Sequence, residues 1–393
     1  MEPIPWIERT IEAEFNQARK EYPVVTITGP RQSGKTSLAK KLCPEYAYAS
    51  LEDPDIRKMA QEDARGFFAR YPAPVIIDEI QRVPELLSYI QGMADATQER
   101  GQYILTGSHQ MDLAVAVSQS LAGRTTLLRL LPLSIEELQQ AGVCQTRDEY
   151  LYRGFMPRIY HEAIRPHVLY SEYFQNYIER DLRQMTAIRH LHLFEKFMRV
   201  LAGRVGQIIN ISSLSNDVGI SRETLNEWLV VLEASFIVFR LPPWFENAGK
   251  RAIKTPKLYF TEPGLVAWLL DIDSDSQISR DPLLGNLFEN MVVVEALKAR
   301  TNTGRMPNLY FYRDGKGNEV DLIIRRHRTL HPVEIKAAMT YSSEMNKGFK
   351  PFHARFPDSP PGSIVYAGEM EIQSDKLSFV NFSNTAKLVR GIQ

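Results

Sequence analysis

The amino-acid sequence predicts an α/β protein whose first third folds as a parallel sheet covered by helices on both faces. Three observations predict it. Gly29-Pro30-Arg31-Gln32-Ser33-Gly34-Lys35-Thr36 fits G-x-x-x-x-G-K-[ST] and lies between an apolar run, Pro23–Ile27, and a helical pattern, Ser37–Leu42. A second apolar run, Pro74–Ile77, ends in the paired carboxylates Asp78 and Glu79. Between and beyond these, short apolar runs alternate with helical patterns, the signature of strands buried on both faces.

Taken in order, residues 7–20 read as a charged helix leading into the first strand. Tyr46–Leu51 forms the second strand, closed by Glu52-Asp53-Pro54, and residues 55–70 form one helix. The Asp78-Glu79 strand is followed by a helix over 84–98 with Leu86, Leu87, Ile90 and Met93 at apolar spacing. Tyr103–Thr106 is a strand that runs into Gly107-Ser108-His109-Gln110. A helix over 111–120 and a strand over 125–131 complete the block. Residues 135–206 read as all-helical, interrupted at Arg153-Gly154-Phe155-Met156-Pro157. Leu214–Val218 and Thr224–Glu233 give two helices around Gly219-Ile220-Ser221, with Ser221 as N-cap and Leu225, Trp228, Leu229 and Leu232 on one face. With a strand at Phe236–Phe239 this is the outline of a winged helix. From Lys257–Phe260 onward the pattern returns to mixed α/β.

Composition removes several function classes. The 393 residues carry 47 basic and 47 acidic side chains, so no whole-chain field draws the protein to nucleic acid or to a membrane. Cys43 and Cys144 stand apart, without metal-ligand spacing, which suits a reducing compartment. No signal-peptide core and no bilayer-length apolar run is present, so a soluble, cytoplasmic protein with no membrane partner is expected.

The glycine-rich loop is a nucleotide site on physical grounds. Gly29 through Ser37 can turn consecutive backbone N–H groups around a phosphate at a helix N-terminus, Lys35 reaches the β/γ-phosphates, and the Thr36 hydroxyl ligates Mg²⁺. Asp78 is placed to hold the Mg²⁺, and Glu79 to polarise the attacking water. Thr106 and Ser108 suit either γ-phosphate sensing or a helix N-cap. Arg124 reads either as an arginine finger, acting in cis or on a neighbouring subunit of a homo-oligomer, or as a surface arginine at a strand mouth. Arg158 and Arg180 are lesser candidates for lid sensors.

A second constellation lies near the C-terminus. Leu322–Ile324 and Pro332–Ile335 read as strands joined by a turn at Arg325–Thr329, which lets Asp321, Glu334 and Lys336 converge. Glu289 opens an apolar helix and offers a third carboxylate. Glu289, Asp321 and Glu334 are metal-ligand candidates, with Lys336 beside them to favour hydroxide, the equipment of metal-assisted phosphodiester hydrolysis. A charged surface hairpin is the plain alternative. DNA is an open partner rather than an established one. The second helix of the winged-helix outline carries Arg222 and Asn226 against Glu223, Glu227 and Glu233, which suits a protein partner at least as well as a major groove. Lys250, Arg251, Lys254, Arg325, Arg326, Arg328, Lys347 and Lys350 supply basic candidates around the hairpin.

The run Gly29–Thr36, the strand Val75–Gln81, Leu105–Ser108 and Leu121–Arg124 together resemble the prokaryotic AAA-type ATPases that carry a C-terminal domain of unknown function. Arg153–Pro157, Tyr177–Asp181 and Thr255–Phe260 look like further landmarks of that family, with Arg153 where it usually has a glycine. The Asp321…Glu334-x-Lys336 pattern is similar to the core of restriction-endonuclease-like nucleases. The resemblance implies a P-loop AAA-type ATPase domain over 1–134, with the sensor strand between the two Walker strands. Together with the pattern read above, the expected organisation continues with a helical lid over 135–206, a winged-helix module over 207–245 and a C-terminal α/β restriction-endonuclease-like domain over 246–393. ATP and Mg²⁺ are the cofactors implied. The functions implied are ATP hydrolysis coupled to an Mg²⁺-dependent nuclease or DNA-binding domain, or a nucleotide-dependent switch that binds a protein or DNA partner and cuts nothing.

Overall fold

Five parallel strands, β1 (Val24–Thr28), β2 (Ala47–Ser50), β3 (Val75–Asp78), β4 (Tyr103–Gly107) and β5 (Thr125–Arg129), assemble in the order β2-β3-β4-β1-β5. This is the computed structural model of the chain, and it describes residues 3–108, 120–178, 191–244, 255–374 and 377–392. The strand ending at Asp78 and the strand leading into Gly29 are separated by β4, the order implied by the family resemblance. β1 is paired on both edges: Thr26 lies opposite Leu105 on one side and Leu127 on the other. Its five residues are all buried because both sheet faces are covered.

Period-two alternation divides the strand side chains between two cores. Val25, Ile27, Ile76, Ile104 and Leu128 pack against Phe15 and Ala18 of α1 (Glu12–Glu21) and Leu38 and Ala39 of α2 (Lys35–Leu42). Val24, Val75, Ile77, Tyr103 and Leu105 face the other way, onto α3 (Pro54–Glu62), α4 (Ala64–Arg70) and α5 (Leu86–Thr97). The single helix expected over 55–70 is two, because Asp63 leaves the helical conformation and its carboxylate accepts from Gly66 N at 2.9 Å, capping the second piece. β5 stops at Arg129, two residues short of the expected end. The helix expected over 111–120 lies almost entirely outside the described residues.

The helical region follows as α6 (Ile135–Gln140), α7 (Arg147–Arg153), α8 (Pro157–His161), α9 (Pro166–Tyr173) and α10 (Leu191–Ala202). The interruption at Gly154 has a steric cause. Gly154 sits at φ 71°, and a Cβ there would stand 2.0 Å from Glu262 Oε1. α11 (Ile211–Val218), Gly219 at φ 87° and α12 (Arg222–Ala234) make the helix-turn-helix, with Ser221 Oγ accepting from Thr224 N at 3.1 Å. Leu225, Trp228, Leu229 and Leu232 are buried as their spacing predicts. The strand that follows, β6, starts at Val238 rather than Phe236, because Phe236 has φ 59° and turns the chain first. β6 (Val238–Leu241) pairs antiparallel with β7 (Lys257–Phe260).

The remainder is α13 (Pro263–Leu269), α14 (Asp275–Ile278), α15 (Leu284–Thr301) and a six-stranded mixed sheet, ordered β12-β13-β11-β10-β9-β8. Its strands are β8 (Leu309–Arg313), β9 (Glu319–Arg326), β10 (Thr329–Lys336), β11 (Gly362–Tyr366), β12 (Ile372–Gln373) and β13 (Leu377–Asn381), with α16 (Phe349–Arg355) and α17 (Thr385–Gly391) alongside. The β9–β10 hairpin is longer than expected, and only His327 and Arg328 lie outside its strands. One continuous apolar core runs through the helical region, the helix-turn-helix and the C-terminal sheet, from Leu131 and Phe155 through Phe194, Trp228 and Phe260 to Phe288, Val365 and Val389. Among the described residues no helix is long and apolar enough to cross a membrane.

Candidate functional site

Gly29–Thr36 leaves the C-terminal edge of β1 and runs into α2, as the motif requires. Two of its glycines have separate reasons to be glycine. A Cβ on Gly29 would stand 2.0 Å from Leu130 O, whereas Gly34 has room but adopts φ 95° at the N-cap of α2. Lys35 is 5% exposed, and its Nζ donates to Gly29 O at 3.0 Å and Pro30 O at 2.8 Å, so the ammonium lies across the loop it serves.

The carboxylates at the end of β3 meet that loop. Thr36 Oγ1 donates to Asp78 Oδ1 at 2.8 Å, the Thr106 hydroxyl donates to the same oxygen, and Tyr48 donates to Asp78 Oδ2 at 3.1 Å. Burial and the Asp78 charge push the Tyr48 hydroxyl up to about 12, so it remains a donor. Glu79 sits in left-handed backbone, φ 58°. Its Oε2 accepts from Ser108 Oγ at 3.0 Å and from Gln81 Nε2, while its N–H donates to Thr106 Oγ1 at 3.3 Å. Thr106 and Ser108 therefore hold Asp78, the last residue of β3, and Glu79, which follows it. A hydroxyl and a carboxylate in contact beside a phosphate cradle are the hard oxygen donors that Mg²⁺ takes together with substrate phosphates, so the residues fit the ion.

Two arginines stand elsewhere. Arg124 precedes β5 at the N-terminal edge of the sheet, its carbonyl accepting from Val24 N at 3.2 Å, and its guanidinium grips Asp95 at 2.5 and 2.8 Å. The length of β1, about 13 Å, separates that edge from the loop of the same chain. In this structure Arg124 thus lies at the opposite edge of the sheet from its own loop. Arg158 lies on α8, paired with Glu162 at 2.9 and 3.0 Å at the surface. Arg180, part of the Tyr177–Asp181 landmark, and Lys250, Arg251 and Lys254 lie outside the described residues.

The hairpin gathers its predicted residues. Leu322 pairs with Val333, which sets Asp321 opposite Glu334. Lys336 Nζ reaches Asp321 Oδ2 at 3.1 Å and Glu334 Oε2 at 2.6 Å, and Ile335 N donates to Asp321 Oδ2 at 2.8 Å. Glu289 arrives from α15, where Lys257 Nζ and the Tyr259 hydroxyl lie 2.8 and 2.6 Å from its Oε1. Lys257 Nζ also lies 2.6 Å from Glu319 Oε1. Burial and the Asp321 charge push Glu334 up to about 9 and raise Glu289. Against its own burial, Asp321 is held below the usual carboxylate range by Lys336 and Lys257.

The metal-ligand candidates of the sequence are engaged by lysines in this structure. Glu289, Asp321 and Glu334 do approach one another, but a lysine ammonium sits on one oxygen of each, Glu289 Oε1, Asp321 Oδ2 and Glu334 Oε2. Within this cluster, among the described residues, the buried oxygen without a hydrogen-bond partner is Glu334 Oε1, which abuts Gly348, where a Cβ would stand 2.1 Å away. Among the described residues no three Asp, Glu, His or Cys side chains are arranged to hold a metal ion. The donor set does not fit Mg²⁺.

Sequence reasoning missed Lys257, although a lysine inside the apolar run Pro256–Phe260 was a usable signal. It also missed Arg9, for which no local signal exists. Arg9 is 5% exposed and donates from Nη1 to Ser33 O at 2.9 Å, from Nη2 to Leu131 O at 2.7 Å and from Nε to Glu137 Oε2 at 3.2 Å. Glu137 also accepts from Ser134 N and Thr10 N, both at 2.8 Å, and from Asn302 Nδ2 at 3.5 Å. Next to it, Glu295 and Lys298 of α15 bind Ile135 N at 2.9 Å and Leu133 O at 2.7 Å.

Comparison with known proteins matches residues 21–139 to the family model described as an AAA domain. Residues 145–276 and 284–384 match two domains of unknown function, DUF8612 and DUF4143. An uncharacterized protein of Mycobacterium tuberculosis is 29% identical over 339 residues, 85% of this chain and 75% of its own length. One from Haemophilus influenzae is 23% identical over 238 residues, 57% of each chain. Among solved structures, a Walker-type ATPase of Pyrococcus abyssi aligns over 68% of this chain and 98% of its own at 14% identity, with a TM-score of 0.45. The parallel sheet, the loop and the AAA match make the N-terminal part of the chain a P-loop ATPase domain of AAA type.

Proposed function

We propose that this chain hydrolyses ATP and works as a nucleotide-dependent switch, engaging a protein or DNA partner through its C-terminal two-thirds without cutting it. The backbone of Gly29–Ser37 would cradle the phosphates, and Lys35 would exchange the Gly29 and Pro30 carbonyls for the β/γ-phosphates. Thr36 and Asp78 would hold Mg²⁺, which when bound neutralises charge on the transferring phosphoryl group. Glu79 orients and polarises the attacking water once its carboxylate leaves Ser108 and Gln81. Arg124, at the opposite edge of the sheet from its own loop, is assigned to the neighbouring site of a homo-oligomer.

One observation carries the switch reading: Arg9 ties the phosphate loop to the rest of the chain. Its guanidinium bonds Ser33 O inside the loop, Leu131 O beyond β5 and Glu137 on α6, and that segment is clamped to α15. A change of loop conformation on phosphate binding therefore has a buried polar path to α15. Along that helix, Glu289 lies about 20 Å from Asn302 at 1.5 Å per residue. The helix-turn-helix and the β6–β7 ribbon support a winged-helix reading. The exposed Glu223 and Glu227 on α12 favour a protein partner over a DNA groove.

A nuclease reading draws on the convergence of Asp321, Glu334 and Lys336, but there a lysine, rather than an open coordination site, sits between the carboxylates. Two assays on the full chain test the proposal. ATP turnover with Mg²⁺ is expected in the wild type and lost in Lys35→Ala and Glu79→Gln. Plasmid and linear DNA with Mg²⁺ or Mn²⁺ are expected to stay intact. Cleavage that Asp321→Ala and Lys336→Ala abolish would replace the switch by a nuclease.

A further inference from the structure

We infer that Lys257 is a tethered cation that closes the C-terminal carboxylate cluster to divalent metal ions. Four carboxylates, Glu289, Glu319, Asp321 and Glu334, come together from α15, β9 and β10. Lys257 Nζ lies between two of them, 2.8 Å from Glu289 Oε1 and 2.6 Å from Glu319 Oε1. Lys336 Nζ covers the other two, at 3.1 Å from Asp321 Oδ2 and 2.6 Å from Glu334 Oε2. The Tyr259 hydroxyl adds a donor to Glu289 Oε1 at 2.6 Å, and Arg313 Nη1 reaches Glu319 Oε2 at 3.4 Å. Carboxylates paired in this way offer a dication an ammonium in the position it would need.

The lysine is held in place by its backbone, not only by its charge. Lys257 is 4% exposed, pairs with Leu241 across the β6–β7 ribbon, and forms a bridge with Ile208 on its other side. Around it, Ile209 N donates to Pro256 O at 3.1 Å, Leu258 N to Gln207 O at 3.1 Å and Gly206 N to Leu258 O at 2.8 Å. The aliphatic stem thus starts from a strand fixed on both edges, and its burial keeps the ammonium among the carboxylates. The device uses the electrostatics of a metal site, a central positive charge among carboxylates, with a covalently attached charge in the ion's place. It concerns a cluster remote from the P-loop and stands whether or not ATP is hydrolysed.

The test is Mn²⁺ uptake by the full-length chain in a Lys35→Ala background, read by electron paramagnetic resonance of free Mn²⁺. The background chain is expected to take up no Mn²⁺ that an added Asp321→Asn removes. Adding Lys257→Met is expected to create a site for a single Mn²⁺ per chain, lost again with Glu289→Gln, one of the two carboxylates that Lys257 holds, while Lys257→Arg stays closed. Lys257→Gln, which keeps a hydrogen-bond donor toward the carboxylates, serves as a second opened variant, and circular dichroism establishes that each variant is folded. A thermal midpoint that rises with Mn²⁺ in the opened variants alone is the accompanying expectation. Uptake by the background chain that Asp321→Asn abolishes would overturn the inference. So would folded Lys257→Met and Lys257→Gln variants that bind none.

Discussion

Thr36 Oγ1 and Asp78 Oδ1 share a hydrogen bond of 2.8 Å across the 42 residues that separate a helix start from a strand end. The two oxygens belong to the two elements that every hydrolytic step at this loop has to bring together. Asp78→Asn keeps the size and one oxygen but removes the negative charge offered to Mg²⁺. Its expected effect is a fall in Mg²⁺-dependent ATP turnover on the order of a hundredfold or more, as when a preorganised electrostatic contact is removed. Thermal stability in the absence of nucleotide should change far less. Turnover and melting curves measured on the same preparation separate the two.

Arg9 is expected to matter for folding as well as for coupling. Arg9→Ala leaves Glu137 buried without its charge partner, and breaking a buried pair by removing one member costs about 3–5 kcal/mol. Arg9→Lys keeps the charge but cannot reach Ser33, Leu131 and Glu137 together, because an ammonium lacks the planar fork. Arg9→Lys should therefore fold and bind nucleotide yet lose nucleotide-dependent protection of α15 from amide exchange. Equal protection changes in Arg9→Lys and wild type would show that the coupling runs elsewhere.

Arg124 gives a prediction about subunits. Arg124→Ala should bind nucleotide like the wild type and hydrolyse it poorly, because the guanidinium, paired with Asp95 at the far edge of its own sheet, is assigned to the neighbouring site. Mixing it with Lys35→Ala, also inactive, should restore part of the turnover by pairing an intact loop with an intact arginine. No recovery on mixing, under conditions where the variants assemble together, would return Arg124 to the surface pair it makes with Asp95.

Glu262 fixes the bend after α7 by accepting from Phe155 N at 2.8 Å and Gly264 N at 3.2 Å, with the Tyr170 hydroxyl 2.9 Å away. Burial raises its carboxyl above the usual range against the pull of Lys298. A carboxyl with a raised folded-state value binds its proton more tightly when folded, so its stabilising share is present below the unfolded value, near 4.5, and is lost as pH rises through the folded one. Glu262→Gln removes that loss. Urea melts from pH 5 upward should show the variant gaining on the wild type as pH rises, and parallel curves would contradict the assignment.

What was legible in the sequence was what local physics forces. Gly29 and Gly34 announce backbone conformations that other residues adopt only with strain, and Asp321, Glu334 and Lys336 converge because a hairpin makes neighbours of residues close in sequence. Ser221 as a cap and the buried face of α12 follow from the same short-range rules. The strand order was not readable from spacing, since parallel pairing joins residues such as Val25 and Ile104 without any local mark. Arg9 escaped because its partners lie 24, 122 and 128 residues away. Lys257 escaped because its carboxylates come from a different helix and a different sheet. The single helix expected over 55–70 failed at Asp63, where a side chain competed with the helical backbone for Gly66 N.

The apolar core that runs from Leu131 to Val389 limits how this chain can be taken apart. Proteins built as strings of separable modules can be cut at their linkers, shuffled between genes and expressed in pieces. A cut at 245 here would strand β6 from β7, and a fragment beginning at 246 would carry Phe260, Phe288 and Val365 without the Phe194 and Trp228 side of their shared core. Such fragments should be insoluble, and inheritance of this C-terminal region should entail inheritance of the helices before it.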